Sequence, residues 1–465
     1  MDRRAGWLGH AVILRPRQVQ AIEDLRAAYR AGKRAPVLVA PTGFGKSATA
    51  SVIIRSATER GKRVWFLAHL REILDDTSKK LTAEGIDHGF IMAGKQADAS
   101  AAVQVVMVQT AVRRLGRGER PDLIVIDEAH LALAATYTKV IEDCGSPLLL
   151  LLTATPIRLD GRGMREVADV IVPTCSTAEL IAEGLLTPIR YYAPSQPDLS
   201  GVRTIAGDFA PGDLSRAMNR PSITGDAVAH YRKLAHGKPA VVFCTNIAHA
   251  QDTARAFRAA GYAAVAISGD SKPAERDAAL HGLQAGDIDV VVNCALWVAG
   301  VDCPAIGCVI LLAPTKSLTK YLQSIGRGLR THPGKDSCIV LDHAGNVQQH
   351  GLPTEAREWS LDGAKKRSRQ PDDVPAVRQC EQCFACYTPQ PVCPSCGHVH
   401  QEKTRKLNLV DGDLSEITEV KRQARQEVGK ARTIEELTKI ADERGYARGW
   451  IWQQMRIKSS RSLRV

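Results

Sequence analysis

The sequence predicts an α/β chain of two tandem lobes with parallel sheets, followed by a small cysteine-rich module and a basic helical tail. Three observations predict it. Short apolar runs recur in two sets along the first 345 residues, with helical patterns between them. Five of the twelve cysteines crowd between Cys380 and Cys396. Residues 361–465 hold 20 Lys plus Arg against 14 Asp plus Glu, half of the chain's formal excess of +12. A length of 465 residues fits about two to four domains.

The first set of runs is VLVA (37–40), VWFLA (64–68), VQVVMV (103–108), LIVI (123–126) and LLLLL (148–152). Continuous apolar runs of this length suit parallel strands buried on both faces. The second set is AVVFC (240–244), AAVAI (263–267), DVVVN (289–293), CVILL (308–312) and SCIVL (337–341), with helical stretches at 248–260 and 274–283. These runs delimit a first lobe at 1–190 and a second at 221–346. The Pro-, Gly-, Ser- and Asp-rich stretch between them reads as a connector, 191–220. Residues 347–378, with the KKRSR run and little apolar periodicity after the last strand, read as a linker. The cysteine module spans 379–400 and the tail 401–465.

Composition limits the function classes. Hydrophobic residues at 44% and charged residues at 24% exclude a wholly disordered chain. No apolar stretch approaches the roughly 18 residues of a membrane-spanning helix, so no membrane partner is expected. The start, MDRRAGWLGH, has no apolar segment with a cleavage site, and a cytoplasmic location is expected. The basic balance points to a polyanionic partner.

The run Ala40-Pro41-Thr42-Gly43-Phe44-Gly45-Lys46-Ser47 follows a predicted strand and precedes a helix. Its glycines let backbone N–H groups face phosphate oxygens. Lys46 can neutralise the outer phosphates, and the Ser47 hydroxyl can bind Mg²⁺. The bland alternative is a structural Gly-rich turn. Asp127-Glu128-Ala129-His130 ends another strand, where ligands of open α/β sheets sit. Asp127 can hold Mg²⁺ and Glu128 can polarise an attacking water, with a solvated acidic turn as the alternative. Arg327 and Arg330 lie three apart on one helical face. There they can meet phosphate charge across a lobe interface, or form a solvated basic face.

Cys380 and Cys383 form one Cys-x-x-Cys pair, and Cys393 and Cys396 a second. Two such knuckles bring four thiolates into a tetrahedron suited to Zn²⁺. Cys386 forms a competing pair with Cys383. An iron–sulfur cluster or a redox pair stays open as an alternative. In the tail, Trp450 and Trp452 read first as the apolar face of a helix. The alternative is base stacking beside Arg448, Arg456 and Lys458.

These motifs resemble those of the superfamily-two DEAD/DEAH-box helicases, over roughly residues 12–345. The Asp-Glu-Ala-His tetrapeptide 127–130 is that superfamily's hydrolytic motif. Leu14-Arg15-Pro16-Arg17-Gln18 resembles its adenine-reading segment, and Leu67-Ala68-His69 and Gln109-Thr110 two strand-contact motifs. Thr153-Ala154-Thr155-Pro156 resembles its coupling motif. Gly300-Val301-Asp302 and Gln323-Ser324-Ile325-Gly326-Arg327-Gly328-Leu329-Arg330 resemble the second lobe's motifs. The runs ISGDSKPAERDAAL, VNCALWVAGVDCPAI and APTKSLTKYLQSIGRGLRTHPGKDSCIVLDHAGN resemble the bacterial RadD-type DNA-repair helicases and related prophage helicases.

The resemblance implies two RecA-like lobes, ATP with Mg²⁺, a zinc-ribbon-like module, and DNA (single-stranded, forked or branched) as the partner. Repair or prophage replication proteins are further expected partners. It places Gln18 and the loop Pro41, Thr42, Gly43, Phe44, Gly45, Lys46 and Ser47 on the nucleotide. Asp302 falls at the ribose and Gln323 at the nucleotide interface. Arg330 is implied as the finger, with Arg327 beside it. His130, Thr153 and Thr155 are implied as couplers, with a satisfied turn histidine left open for His130. The expected activity is an ATP-dependent DNA helicase or translocase in repair or recombination. An RNA helicase, or an ATP-gated DNA-binding scaffold, is the alternative.

Overall fold

The computed structural model describes residues 13–400 except 115, 117–119, 159–160, 194–196, 198, 206, 219–220, 295–302 and 364–376. Beyond these it describes 427–428, 431, 433–446 and 449–455. The chain forms two units, 1–400 and 401–465.

In the first lobe, seven strands run β1 (Pro36–Val39), β2 (Val64–Ala68), β3 (Gly89–Ile91), β4 (Val103–Met107), β5 (Leu123–Ile126), β6 (Leu148–Thr153) and β7 (Val170–Pro173). They pair in parallel in the order β3-β4-β2-β5-β6-β1-β7. Its helices are α1 (Pro16–Arg30), α2 (Lys46–Thr58), α3 (Arg71–Ala83), α4 (Val108–Val112), α5 (Ala135–Asp143) and α6 (Thr177–Ala182). The central strands β1 and β5 are buried along their whole length, as their unbroken apolar runs require. β6 lies between them, so the ends of β1, β6 and β5 open side by side.

The second lobe has β8 (Ile189–Tyr192), a hairpin of β9 (Thr204–Ile205) and β10 (Asp208–Phe209), then β11 (Ala240–Cys244), β12 (Ala264–Ile267), β13 (Val290–Cys294), β14 (Cys308–Leu311) and β15 (Cys338–Asp342). Six of these form a second parallel sheet in the order β12-β13-β11-β14-β15-β8. Its helices are α7 (Pro211–Met218), α8 (Pro221–Leu234), α9 (Ile247–Ala259), α10 (Pro273–Ala285), α11 (Leu318–Gly326) and α12 (Asn346–His350). The predicted two-lobe α/β architecture is therefore present.

Three stretches differ from the sequence reading. The first concerns the lobe boundary and the connector at 191–220. β8 pairs with β15, so the second lobe begins before residue 190 and Tyr191 and Tyr192 are buried in its edge strand. The β9–β10 hairpin docks on the start of α11. There the Asp208 carboxylate accepts from Lys316 N at 2.8 Å, Thr315 Oγ1 at 2.9 Å and Lys320 Nζ at 2.9 Å. The strands are short and their charges point at one helix end, so no period-two pattern announced them.

The second is the linker at 347–378. Its first half continues α12 and then crosses back to the first lobe. Leu361 is buried in that lobe's core with Met164 and Ala168, and Trp359 packs beside it. Arg165 pairs with Asp362, and Arg165 N donates to Leu361 O at 3.1 Å. One leucine and one tryptophan are too few to register as a helical or strand pattern. The KKRSR run lies outside the described residues.

The third is the cysteine module, whose β16 (Arg378–Gln379) and β17 (Cys386–Tyr387) pair antiparallel. It is seated against the second lobe. Ala193 N donates to Phe384 O at 3.1 Å, Tyr192 bridges Ala385, and the Tyr192 hydroxyl meets Ser395 Oγ at 3.0 Å.

In the second unit, α13 (Ile434–Arg444) starts at a capping box of Thr433 and Glu436. Leu437, Ala441 and Ile451 form a small core that Trp450 packs against. Trp452 is 68% exposed, contrary to the reading of both tryptophans as an apolar face. Arg448, Arg456 and Lys458 lie outside the described residues.

Candidate nucleotide site and cysteine centre

The phosphate loop is built by two glycines at positive φ, Gly43 at 88° and Gly45 at 97°. Both are also closely approached. A Cβ on Gly43 would sit 2.5 Å from Leu186 Cδ2, and one on Gly45 would overlap the Gln18 amide. Gln18 is buried, accepts from Arg15 N at 2.8 Å and donates to Phe44 O at 2.9 Å. Its amide thus fixes the loop and faces a pocket of about 370 Å³ lined by Pro16, Arg17, Phe44, Leu180 and Leu185. α2 begins at Lys46, directly after the loop, with its free N–H groups at the loop.

Between the lobes lies a cavity of about 560 Å³, within the size range of small-molecule sites. It gathers Thr42, Gly43, Gly45, Lys46, Ser47, Asp127 and Glu128 from the first lobe. Gln323, Arg327 and Arg330 come from the second. Asp302 lies outside the described residues.

The electrostatics are those of charges taken out of water. Burial lowers the affinity of Lys46 for its proton, while Glu128 and Asp127 act to restore it. Burial, reinforced by Glu128, pushes the Asp127 carboxyl up to about 6, with Lys46 opposing. Glu128 is raised by burial too, against Lys46 and Arg327. Arg327 is lowered by burial, with Glu128 and Asp127 opposing. The second lobe's guanidinium therefore shares one field with the first lobe's carboxylates. Glu128 also takes a left-handed backbone, φ 51°, which is uncommon for a non-glycine residue and clusters at functional sites.

Two observations test the fit to a nucleotide with Mg²⁺. Lys46 Nζ turns onto the carbonyls of Ala40 at 3.0 Å and Pro41 at 3.5 Å, acceptors that a phosphate would replace. Glu128 Oε2 is buried with no hydrogen-bond partner among the described residues. The hydroxyl of Ser47 and the carboxylate of Asp127 are the oxygen ligands that Mg²⁺ prefers. The residues fit.

The coupling motif is also ordered. Thr153 Oγ1 donates to Thr155 O at 2.9 Å and accepts from Thr155 N at 3.1 Å, which closes the turn after β6. Thr155 Oγ1 meets Thr319 Oγ1 of α11 at 2.5 Å, a buried bond across the lobes. His130 faces the first lobe, with Nδ1 3.5 Å from Glu128 Oε2. Burial, opposed by Asp127, brings its imidazole down to about 4, so it is neutral at pH 7.

Sequence reasoning missed Thr319, which carries no motif of its own. It also missed the part played by Gly326, legible only in the structure: a Cβ there would lie 2.7 Å from Thr42 Cβ. α11 rests directly on the phosphate loop because this residue has no side chain, and Arg327 and Arg330 follow in the turn beyond the helix end, not on one helical face as the spacing suggested.

In the cysteine module, the Sγ atoms of Cys380, Cys383, Cys393 and Cys396 all lie within 4.8 Å of one another. Cys380–Cys396 and Cys383–Cys393 are each 3.7 Å apart. A tetrahedral site with Zn–S near ~2.3 Å has sulfurs about 3.8 Å apart. The four thiols fit zinc. Both knuckles turn through a left-handed residue, Phe384 at 61° and Gly397 at 74°. Cys386 lies apart, buried in the motor's core, and burial pushes its thiol up to about 12.

Two parallel-sheet lobes that hold a phosphate loop, an acidic pair and arginines around one cleft define a nucleotide-hydrolysing motor. Residues 11–158 match the family "Type III restriction enzyme, res subunit", and 225–332 match "Helicase conserved C-terminal domain". A 51.5 kDa protein of a Lactococcus phage (isolate 7-9) is 32% identical over 378 residues, covering 80% of each chain. The "Putative ATP-dependent helicase IRC3" of Saccharomyces cerevisiae is 30% identical, over 72% of this chain and 52% of its own. The chain thus spans about half the length of that relative.

Among solved structures, "The fragment structure of a putative HsdR subunit of a type I restriction enzyme from Vibrio vulnificus YJ016" superposes with a TM-score of 0.57. Its identity is 20%, over 72% of this chain and 65% of its own. The ATP-dependent Type ISP restriction-modification enzyme LlaBIII bound to DNA gives 0.56 at 16%, over 71% of this chain and 28% of its own. At these identities the structures speak for the fold. The chain belongs to the superfamily-two helicases and is an ATP-hydrolysing enzyme.

Proposed function

We propose that the chain is an ATP-dependent DNA translocase or helicase, of the RadD-like and prophage type, that works in DNA repair or recombination. The observation that carries this reading is the single cleft lined by Glu128, Asp127 and Arg327, in which one lobe supplies the carboxylates and the other the guanidinium. Hydrolysis then depends on lobe closure, and nucleic acid spanning both lobes moves as they open and close. DNA as the partner is supported by the net charge of +12 and by the DNA-bound restriction enzyme of like fold.

The roles proposed for the site residues combine their place in the cleft with the family resemblance. Lys46 and the loop amides hold the outer phosphates. Ser47 and Asp127 hold Mg²⁺, which neutralises charge on the phosphates when bound. Glu128 orients the attacking water and takes its proton. Arg327 and Arg330 face the developing negative charge, with Gln323 at the nucleotide; Asp302 is assigned to the ribose by the family resemblance alone. Gln18 reads the adenine, while Thr153, Thr155 and His130 couple the site to the lobes. The cysteine centre holds one structural zinc, since the module has almost no core of its own and zinc binding would fold it. Backbone contacts carry no sequence information, so little sequence preference is expected.

ATP hydrolysis measured with and without single-stranded and forked DNA, together with strand displacement, tests the reading. Stimulation by DNA and ATP-dependent displacement are expected. Stimulation by DNA without displacement would reduce the activity to translocation or clamping.

A further inference from the structure

Two backbone carbonyls of the arginine-bearing turn after α11, with one from the loop before β14, converge on one side chain. Lys335 Nζ donates to Gly328 O at 2.7 Å, Arg330 O at 2.8 Å and Pro304 O at 3.1 Å. An ammonium group has three donors, and here all three are used.

The turn is braced on its other side. Thr187 N donates to Leu329 O at 2.8 Å, and Thr187 Oγ1 to Arg330 O at 3.0 Å. Beneath it, Gly328 sits so close to the sheet that a Cβ would overlap Cys338 Sγ and come within 2.8 Å of Val309 Cγ2. Pro304 and Arg330 both line the nucleotide cavity, so Lys335 ties together two walls of that cavity without lining it.

We propose that Lys335 is a positioning residue of the ATPase, which fixes the Arg330 backbone and the Pro304 loop so that the Arg330 guanidinium meets the transferring phosphate. This rests on the reading of Arg330 as the finger. A residue that acts by placement changes turnover more than binding. Displacing a catalytic group by about 1 Å costs on the order of 10²-fold.

The test is steady-state ATPase of the full chain in four variants: Lys335→Met, Lys335→Arg, Arg330→Ala and the double Lys335→Met, Arg330→Ala. Lys335→Met is expected to lower kcat on the order of 10²-fold, with KM for ATP near that of the parent. Lys335→Arg, which keeps charge and donors, should recover part of the loss. The double variant should be no slower than Arg330→Ala alone, because the two changes remove one function.

A parental kcat in Lys335→Met alongside a slow Arg330→Ala overturns the inference. So does a double variant whose losses multiply. A parental kcat in Arg330→Ala instead removes the finger reading, and the placement argument with it. If Lys335→Met does not fold, Lys335→Gln keeps two donors and drops the charge. A slow Lys335→Gln at the parental melting temperature supports the proposal, and a parental kcat overturns it.

Discussion

The nucleotide cleft and the cysteine centre solve the same problem, the gathering of reactive groups, in opposite ways. The centre draws its four sulfurs from a stretch of seventeen residues, Cys380 to Cys396, through two turns of one kind. The cleft draws on residues from Thr42 to Arg330, carried by two sheets. A local site can be broken and rebuilt on its own. A distributed one fails whenever the lobes lose their relative placement. The Thr155–Thr319 bond, the close seat of Gly326 on Thr42 and the Arg276–Glu72 pair are among the contacts that hold this placement.

The largest effects should come from the cleft's own charges. Glu128→Gln should retain ATP and stop turnover, because the amide cannot accept a proton. Arg330→Ala should lose on the order of 10³–10⁵ in kcat. Lys46→Ala should lose nucleotide affinity as well, which binding of a labelled nucleotide would separate from the other two. Tight nucleotide binding by the Lys46 variant would contradict its placement at the phosphates.

Next comes the seat between the lobes. Gly326→Ala places a methyl against Thr42, so turnover should fall while the first lobe, made of its own strands, keeps its melting behaviour. Parental turnover would mean that the closed seat is not the active arrangement. The local site is expected to respond differently. Cys393→Ser with Cys396→Ser should abolish a content of about one zinc per chain, read by elemental analysis. Because the module is seated on Ala193 and Tyr192, that variant should also melt earlier. Basal ATPase should survive better than its DNA-stimulated part. A metal content near zero in the parent would refute the centre, and iron with a visible absorption band would replace zinc.

The smallest expected effect is at Trp452. Its exposed ring is available for base stacking, which is worth about 1–3 kcal/mol per base. Trp452→Ala should weaken single-stranded DNA binding to that extent and leave basal ATPase alone. Unchanged affinity would return the residue to a plain surface role.

The contrast also explains what the sequence disclosed. Motifs whose residues are adjacent were legible: the loop 40–47, the acidic tetrapeptide 127–130 and the paired knuckles each carry their chemistry within a few positions. The interior strands were legible because burial on both faces leaves unbroken apolar runs. What stayed hidden depends on partners far along the chain. The edge strand β8 mixes Arg190 with its tyrosines. Leu361 is one buried side chain in a polar stretch. Thr319 and Lys335 act through a hydroxyl and an ammonium whose acceptors are set only by the fold. Thr155 likewise crosses to the second lobe through a hydroxyl contact that only the fold sets.

If one cleft, completed by both lobes, hydrolyses ATP in answer to DNA, its rate must depend on the nucleic acid present. The most direct measurement is the ATPase rate of the full chain against single-stranded, double-stranded and forked DNA and the matching RNAs. A marked rise with single-stranded or forked DNA is expected, and Glu128→Gln should abolish it. An equal rise with RNA alone, or a rate indifferent to every nucleic acid, would contradict it.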